Sequence, residues 1–290
     1  MLEQARALAS RGRPADALAL LQSLVVDSRR SPELRDLRSE AFDGLLQLLF
    51  ASGRHDRMAK VFGQYVTDYC DVQDAAFDQA YLAGVVASGT APVPMRRRDR
   101  FRLLVQQFER THGLPGSIAE CGCFRGLSSF LLCSALRRRD ASFTGAGYRI
   151  FDSFQGLSAP RTEDLADDGS EEFRRLKDNI VPGHYAASLA SVRRTLAAFP
   201  GIEYFPGWIP AAFPVENSTR YRFVHVDVDL YQPTLDCFEY FWPRLVPGAV
   251  MVCDDYNWPG GRQAVEEFCP RAGVQFETSA FNQAYIVKPA

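Results

Sequence analysis

At 290 residues and 47% hydrophobic content, the chain can form one large domain, or a domain with an appendage, around a sizeable core. A formal net charge of −2 and a pI near 6.1 argue against a dedicated nucleic-acid binder. Seven scattered cysteines with no CxxC pair exclude a neat disulfide framework and the usual zinc spacings. No apolar run approaches the ~18 residues of a membrane span. The N-terminus is amphipathic and acid-containing, unlike a secretion signal. Buried thiols, including Cys121, Cys133, Cys237 and Cys253, in a reducing cytoplasm are the expectation.

Residues 1 to about 90 read as helical throughout. Leu2, Ala5, Leu8 and Ala9 mark a first helix, stopped near Gly12 and Pro14. Leu18, Leu21, Leu24 and Val25 mark a second. Ser31-Pro32-Glu33 opens a third through Leu49, with Gly53 at its end. Val61 to Tyr69 mark a fourth. The joints around Gly12 and Gly53 resemble each other, a hint of a repeated helical hairpin. No residue here demands catalysis, so the stretch serves packing, self-association as a homo-oligomer, or a lid. The basic runs 96–98 and 137–139 read as solvated helix faces. Thr90 to Pro94 breaks the pattern, dividing a helical appendage (1–94) from a second domain (95–290). An entry helix follows over 98–110.

From Ser117 strands and helices alternate. Strands are expected at 117–123, 148–153, 202–206, 223–229, 249–254, 274–280 and 283–288, and helices at 125–139, 185–199, 231–245 and 260–272. The last two strands, about two residues apart, should form an antiparallel hairpin. The fold class is therefore α/β: a seven-stranded doubly wound sheet of five parallel strands ending in that hairpin. Residues 155–184, rich in Asp, Glu, Gly and Pro, read as a loop or lid.

The strand-helix-strand stretch from Tyr221 to Tyr256 carries the chemistry. Two strands with a right-handed crossover should lie parallel, so their terminal carboxylates emerge at one sheet edge. These are Asp227 and Asp229 after the first, and Asp254 and Asp255 after the second. Such a cluster repels itself unless a cation or protons sit among its members. Hard oxygen ligands suit Mg²⁺ or a similar divalent ion.

At the first strand's end, Gly122 and Gly126 permit a tight turn and close backbone approach to a ligand. A Gly-x-Gly-x-x-Gly dinucleotide fingerprint is absent, which disfavours an oxidoreductase. Asp152 ends the second strand, where an acid can hold both hydroxyls of a ribose or cap a turn. Trp208, past the third strand, can cover an adenine or belong to the core. His225, inside a strand, reads as a satisfied core residue, and His184 as a lid residue that could reach the site.

The segments ECGCFRGLSS, FDSFQGL, FPGW, DVDLY and LVPGAVMVCDDYNWPGGRQAVEEF resemble the macrocin O-methyltransferase family, in order, over about residues 96–290. The resemblance implies a class I, Rossmann-like, S-adenosylmethionine-dependent fold, a Mg²⁺ ion (Mn²⁺ as a substitute) and a small glycosylated natural product as acceptor. Carried over by position, Glu120, Cys121, Gly122, Arg125, Gly126, Ser128 and Ser129 line the methionine part of the cofactor. Asp152 and Ser153 hold its ribose, with Trp208 nearby. Asp227, Asp254 and Asp255 hold the metal, Asp227 also taking the acceptor proton. Asp229 is then a turn residue or a supporting partner. Cys123 stands where the family often has an aliphatic residue, and the helical stretch 1–90 lies outside the resemblance. A helical interaction module on an inactive methyltransferase domain is the rival reading, and the intact Asp227, Asp254 and Asp255 speak against it.

Overall fold

The fold is that of a computed structural model describing all residues except 92–95, 167–168, 170–172, 175–176, 216–217 and 290. It divides into two compact units, Met1–Asp99 and Arg100–Ala290. The boundary expected at residue 94 lies outside the described residues.

The first unit contains α1 (Leu2–Ser10), α2 (Pro14–Asp27), α3 (Arg35–Ala51), α4 (His55–Tyr69) and α5 (Ala75–Ser88). The division between the units falls within α6 (Arg96–Glu109). The two glycine joints do repeat. After α1, the amides of Arg11, Gly12 and Arg13 donate to Ala7, Ala9 and Leu8; after α3, those of Ser52, Gly53 and Arg54 donate to Leu48, Phe50 and Leu49. Gly12 and Gly53 both take the left-handed conformation that such a cap favours. The third helix starts later than expected, because Pro32–Leu34 forms a separate 3-10 turn. α5 has no apolar stripe to announce it, since its Ala, Val and aromatic residues run around the helix; Asp74 caps it by accepting from the Phe77 amide at 2.9 Å.

The basic run that opens α6 is not wholly a solvated face. Arg98 is fully buried, its guanidinium forked onto Asp78 at 2.6 and 3.0 Å and onto Asp99 at 2.6 Å. In the second run, Arg137 donates to the carbonyls of Phe143 and Ala198 and stacks over Phe199. Neither role is visible in local sequence, because Asp78 and Ala198 lie 20 and 61 residues from these arginines.

The second unit is built on β1 (Ser117–Cys121), β2 (Tyr148–Asp152), β3 (Glu203–Pro206), β4 (Tyr221–Val226), β5 (Leu245–Cys253), β6 (Phe276–Thr278) and β7 (Ala284–Val287). Their order is β3-β2-β1-β4-β5-β7-β6, with five parallel strands and β7 antiparallel to β5 and β6. Among its described residues, helices after α6 include α7 (Leu127–Arg139), α8 (Leu189–Thr195), α9 (Tyr231–Phe241) and α10 (Pro259–Ala272).

The sheet class is as expected, while several ends differ. α9 stops at Phe241, where Trp242-Pro243-Arg244 forms a 3-10 turn, and Leu245 already belongs to β5. β6 and β7 are joined by five residues, not two; the Ser279 hydroxyl gathers the amides of Phe281 and Gln283, and Asn282 turns at φ 61°. α8 is shorter than the expected 185–199, starting after the capping Ser188. The core between sheet and helices holds Phe151, Tyr221, Phe238, Phe241 and Phe268. All seven cysteines are buried and free. Among the described residues no helix is long and apolar enough to cross a membrane.

Candidate active site

The parallel register pairs Val226 with Cys253, so Asp227 and Asp254 leave adjacent strands side by side. Backbone bonds tie the edge together: the Asp227 amide donates to Cys121 at 2.9 Å, and the Asp254 amide to Val226 at 2.8 Å. The turn after β1 thus abuts the carboxylates after β4. Gly122 makes that contact possible. It sits at φ +78°, and a Cβ there would lie 1.9 Å from the Asp227 carbonyl oxygen.

The turn itself is held by Asp152. One carboxylate oxygen accepts from the Cys123 amide at 2.7 Å, the other from the Phe154 amide at 2.6 Å. The capping role weighed from sequence is therefore present, and each oxygen keeps a further lone pair for a ligand. Ser153 closes the following turn through Gly156 and Gln155. Gly126 caps the start of α7 in the left-handed conformation, and Arg125 is exposed, its guanidinium 5.2 Å from the Phe124 ring. Cys121 and Ser128 are buried. Trp208 is 40% exposed, so it is not a core residue.

Glu120 and Ser129 face inward. Glu120 is fully buried and accepts from Ser129, from Tyr148 OH at 2.8 Å, and meets His225 Nδ1 at 3.0 Å. Burial opposes its charge, yet the hydrogen bonds led by His225 outweigh it and hold its pKa below the usual value. His225 is correspondingly charged: burial works against the imidazolium, but Asp254 and Glu120 raise it to about 10. Its Nε2 has no hydrogen-bond partner and lies 3.7 Å from Asp254 Oδ1, an electrostatic separation rather than a hydrogen bond.

Among the described residues, His225, Asp227 and Asp254 form the group whose ligating atoms all fall within 4.8 Å of one another. Two of the three carboxylates named from sequence are in it. Asp255 lies just outside, with Oδ2 accepting from the Asp229 amide at 2.9 Å. Asp229 itself takes φ 60° at the turn into α9. His225 joins instead, by a signal the sequence did contain: residues two apart on a strand share a face. The carboxylate oxygens of Asp227 and Asp254 are hard donors that fit a divalent cation, while His225, held as an imidazolium, has no lone pair to offer and faces them as a charge.

The charges divide the carboxylates. Burial pushes Asp227 up to about 6, with Asp254 adding to the rise and His225 and Arg100 opposing it. Burial and the neighbouring acids also raise Asp255 well above the carboxylate range. Asp254 goes the other way: Arg100 and His225 overcome its burial and hold it far below. Arg100, from α6, is the member nothing in the sequence announced. It ion-pairs with Asp254, donates to the Asp254 carbonyl at 2.7 Å and stands 3.6 Å from Asp255.

The described part of segment 155–184 borders this edge. Leu157, Phe173 and Ile180 pack with Leu230 and Trp258. Asp164 accepts from the Tyr231 amide at 2.6 Å, pinning the segment to the start of α9. His184 stacks edge-on with Tyr185, whose ring meets Phe124 in the turn after β1. Phe124, Phe154, Tyr185 and Asp229 all adopt positive φ. Bulky residues rarely do, and such strain gathers at functional sites.

The macrocin-O-methyltransferase (TylF) family matches residues 71–284. The match starts ahead of the resemblance read from residue 96 and so takes in α5. The 8-demethyl-8-(2,3-dimethoxy-alpha-L-rhamnosyl)-tetracenomycin-C 4'-O-methyltransferase of Streptomyces olivaceus is 30% identical over 186 residues, 63% of this chain and 68% of that protein. The mycinamicin III 3''-O-methyltransferase of Micromonospora griseorubida is 27% identical over 189 residues, 64% and 72% of the two chains. Among solved structures, the O-methyltransferase NovP aligns with a TM-score of 0.55 at 22% identity, over 82% of this chain and 99% of that one. The calicheamicin methyltransferase CalS11 aligns at 0.54 and 18%, over 74% and 94%. At these identities the structural likeness shows the fold.

Proposed function

The chain belongs to the macrocin O-methyltransferase family and is an O-methyltransferase; on that premise we propose that it methylates a sugar hydroxyl of a glycosylated natural product, with S-adenosylmethionine as donor and a divalent cation at the acidic edge. The observation that carries this reading is a contiguity. The glycine turn after β1 and the group His225, Asp227 and Asp254 are joined through the Asp227 amide and the Cys121 carbonyl.

In this reading the backbone of Gly122 to Gly126 approaches the methionine part of the donor. Asp152 offers its remaining lone pairs to the ribose, Ser153 holds the neighbouring turn, and Trp208 presents an exposed ring to the adenine. Glu120, Ser128 and Ser129 support the turn and His225 from within. S-adenosylmethionine supplies an electrophilic methyl group. Asp227 and Asp254, with Asp255 as a third carboxylate, hold the cation, and Mg²⁺ or Mn²⁺ suits oxygen ligands. A bound divalent ion lowers the pKa of a coordinated hydroxyl. Asp227 would accept that hydroxyl's proton. The described residues Leu157, Asp164, Phe173 and Ile180 border the edge and would limit water there. A homo-oligomer is part of the proposal, to be checked by light scattering.

The test has two steps. Calorimetry should show saturable binding of S-adenosylmethionine and its demethylated product. Incubation with a rhamnosylated tetracenomycin and with mycinamicin III should then show by mass spectrometry whether either gains one methyl. Absence of cofactor binding would remove the proposal.

A further inference from the structure

We propose that Arg100 is the resident counter-cation of the acidic edge, and that a divalent ion binds there only by displacing its guanidinium. This rests on the metal reading above and adds a competitor from the chain itself. A carboxylate cluster on adjacent strands needs positive charge among its members. In this protein the need is met internally. From β4, His225 sets its Nε2 3.7 Å from Asp254 Oδ1; from α6, Arg100 contributes a guanidinium lying against Asp254 and facing Asp255.

Asp254 shows how fully the edge is taken. Arg100 occupies its Oδ2, and Gln283, just before β7, donates to its Oδ1. Asp227 and Asp255 remain on either side. A metal held by Asp227, Asp254 and Asp255 would have to share Asp254 with these two donors. It would also place two positive charges beside a third, which the low-dielectric edge makes costly. Arg100 has a way out: its side chain is 25% exposed, and its Nε lacks a hydrogen-bond partner. The guanidinium is thus fastened at one end only, through Nη2, and its stem can turn toward solvent without breaking a second anchor.

Two consequences follow for binding. Cation affinity in this chain is set partly by an exchange of Arg100 for metal, so it is weaker than the carboxylates alone would give. Loss of the metal does not leave the acids bare, because Arg100 returns to them.

Mn²⁺ binding to the full-length protein, followed by loss of the free-ion electron paramagnetic resonance signal, tests this without any acceptor. Arg100→Met keeps much of the stem and removes the charge. It should bind Mn²⁺ about tenfold more tightly than wild type or better, as removal of one competing unit charge requires. Its melting temperature in chelator should be lower, and Mn²⁺ should raise it more than in wild type. If that variant does not fold, Arg100→Lys replaces it; losing the Nη2 that reaches both the Asp254 carboxylate and its carbonyl, it should still bind Mn²⁺ more tightly than wild type. Equal or weaker binding in the variant that folds would overturn the exchange while leaving the metal reading intact. No Mn²⁺ binding by wild type or variant would remove both.

Discussion

Gly122 has no room for a side chain. Its φ of +78° and the 1.9 Å between a built Cβ and the Asp227 carbonyl oxygen make Gly122→Ala a change the backbone must absorb. The cost should exceed the ~1 kcal/mol of an ordinary glycine replacement, read from urea unfolding, and S-adenosylmethionine binding should fall with it. Unchanged stability would mean that the turn is not packed as described. Asp152→Ala strips two backbone caps, at 2.7 and 2.6 Å, and should cost roughly 1–3 kcal/mol. Calorimetry should show weaker cofactor binding in the same variant; full affinity would take Asp152 out of the site. At this scale the sequence revealed residue types better than partners. Asp227 and Asp254 were legible because strand-terminal acids must meet at a parallel edge. His225 was legible in principle, two residues before Asp227, but an interior strand histidine looks like core. Arg100 was not legible, since its partners stand 154 residues away and only the folded chain brings α6 to that edge.

Among elements, the strands and helices of the second unit follow from alternation and periodicity. Their ends do not, because Trp242-Pro243-Arg244 and the Ser279 turn are settled by hydrogen bonds rather than by hydrophobic pattern. α5 shows the opposite limit: an apolar helix with no polar face carries no periodic signal. α4 and α5 also carry a pH prediction. Burial raises the phenols of Tyr65 and Tyr81 to about 12. In the unfolded chain a phenol titrates near ~10. Folding therefore retains protons that the unfolded state has lost. The resulting stability is full below pH ~10 and is lost as pH rises through about 12. The urea midpoint should drop across that window, and Tyr81→Phe should flatten the drop. An identical slope in the variant would contradict the assignment to Tyr81.

For the whole molecule, the family match from residue 71 suggests where the chain can be cut. A protein beginning at Asp71 keeps α5 and everything the family match covers. We expect it to bind S-adenosylmethionine within a few-fold of full length, by roughly the tolerance seen when distant sites act independently. Loss of binding would show that α1 to α4 contribute to the cofactor site rather than serving acceptor choice or assembly. In the proposed reaction Asp227, which follows β4, accepts the proton of the hydroxyl being methylated. The most direct test of that role is transfer of labelled methyl from S-adenosylmethionine to a rhamnosylated acceptor that wild type methylates, with Asp227→Asn alongside under saturating Mg²⁺. Asp227→Asn should fold and bind cofactor, with transfer slowed roughly 100-fold or more; a wild-type rate in that variant would contradict the role of Asp227 as the base.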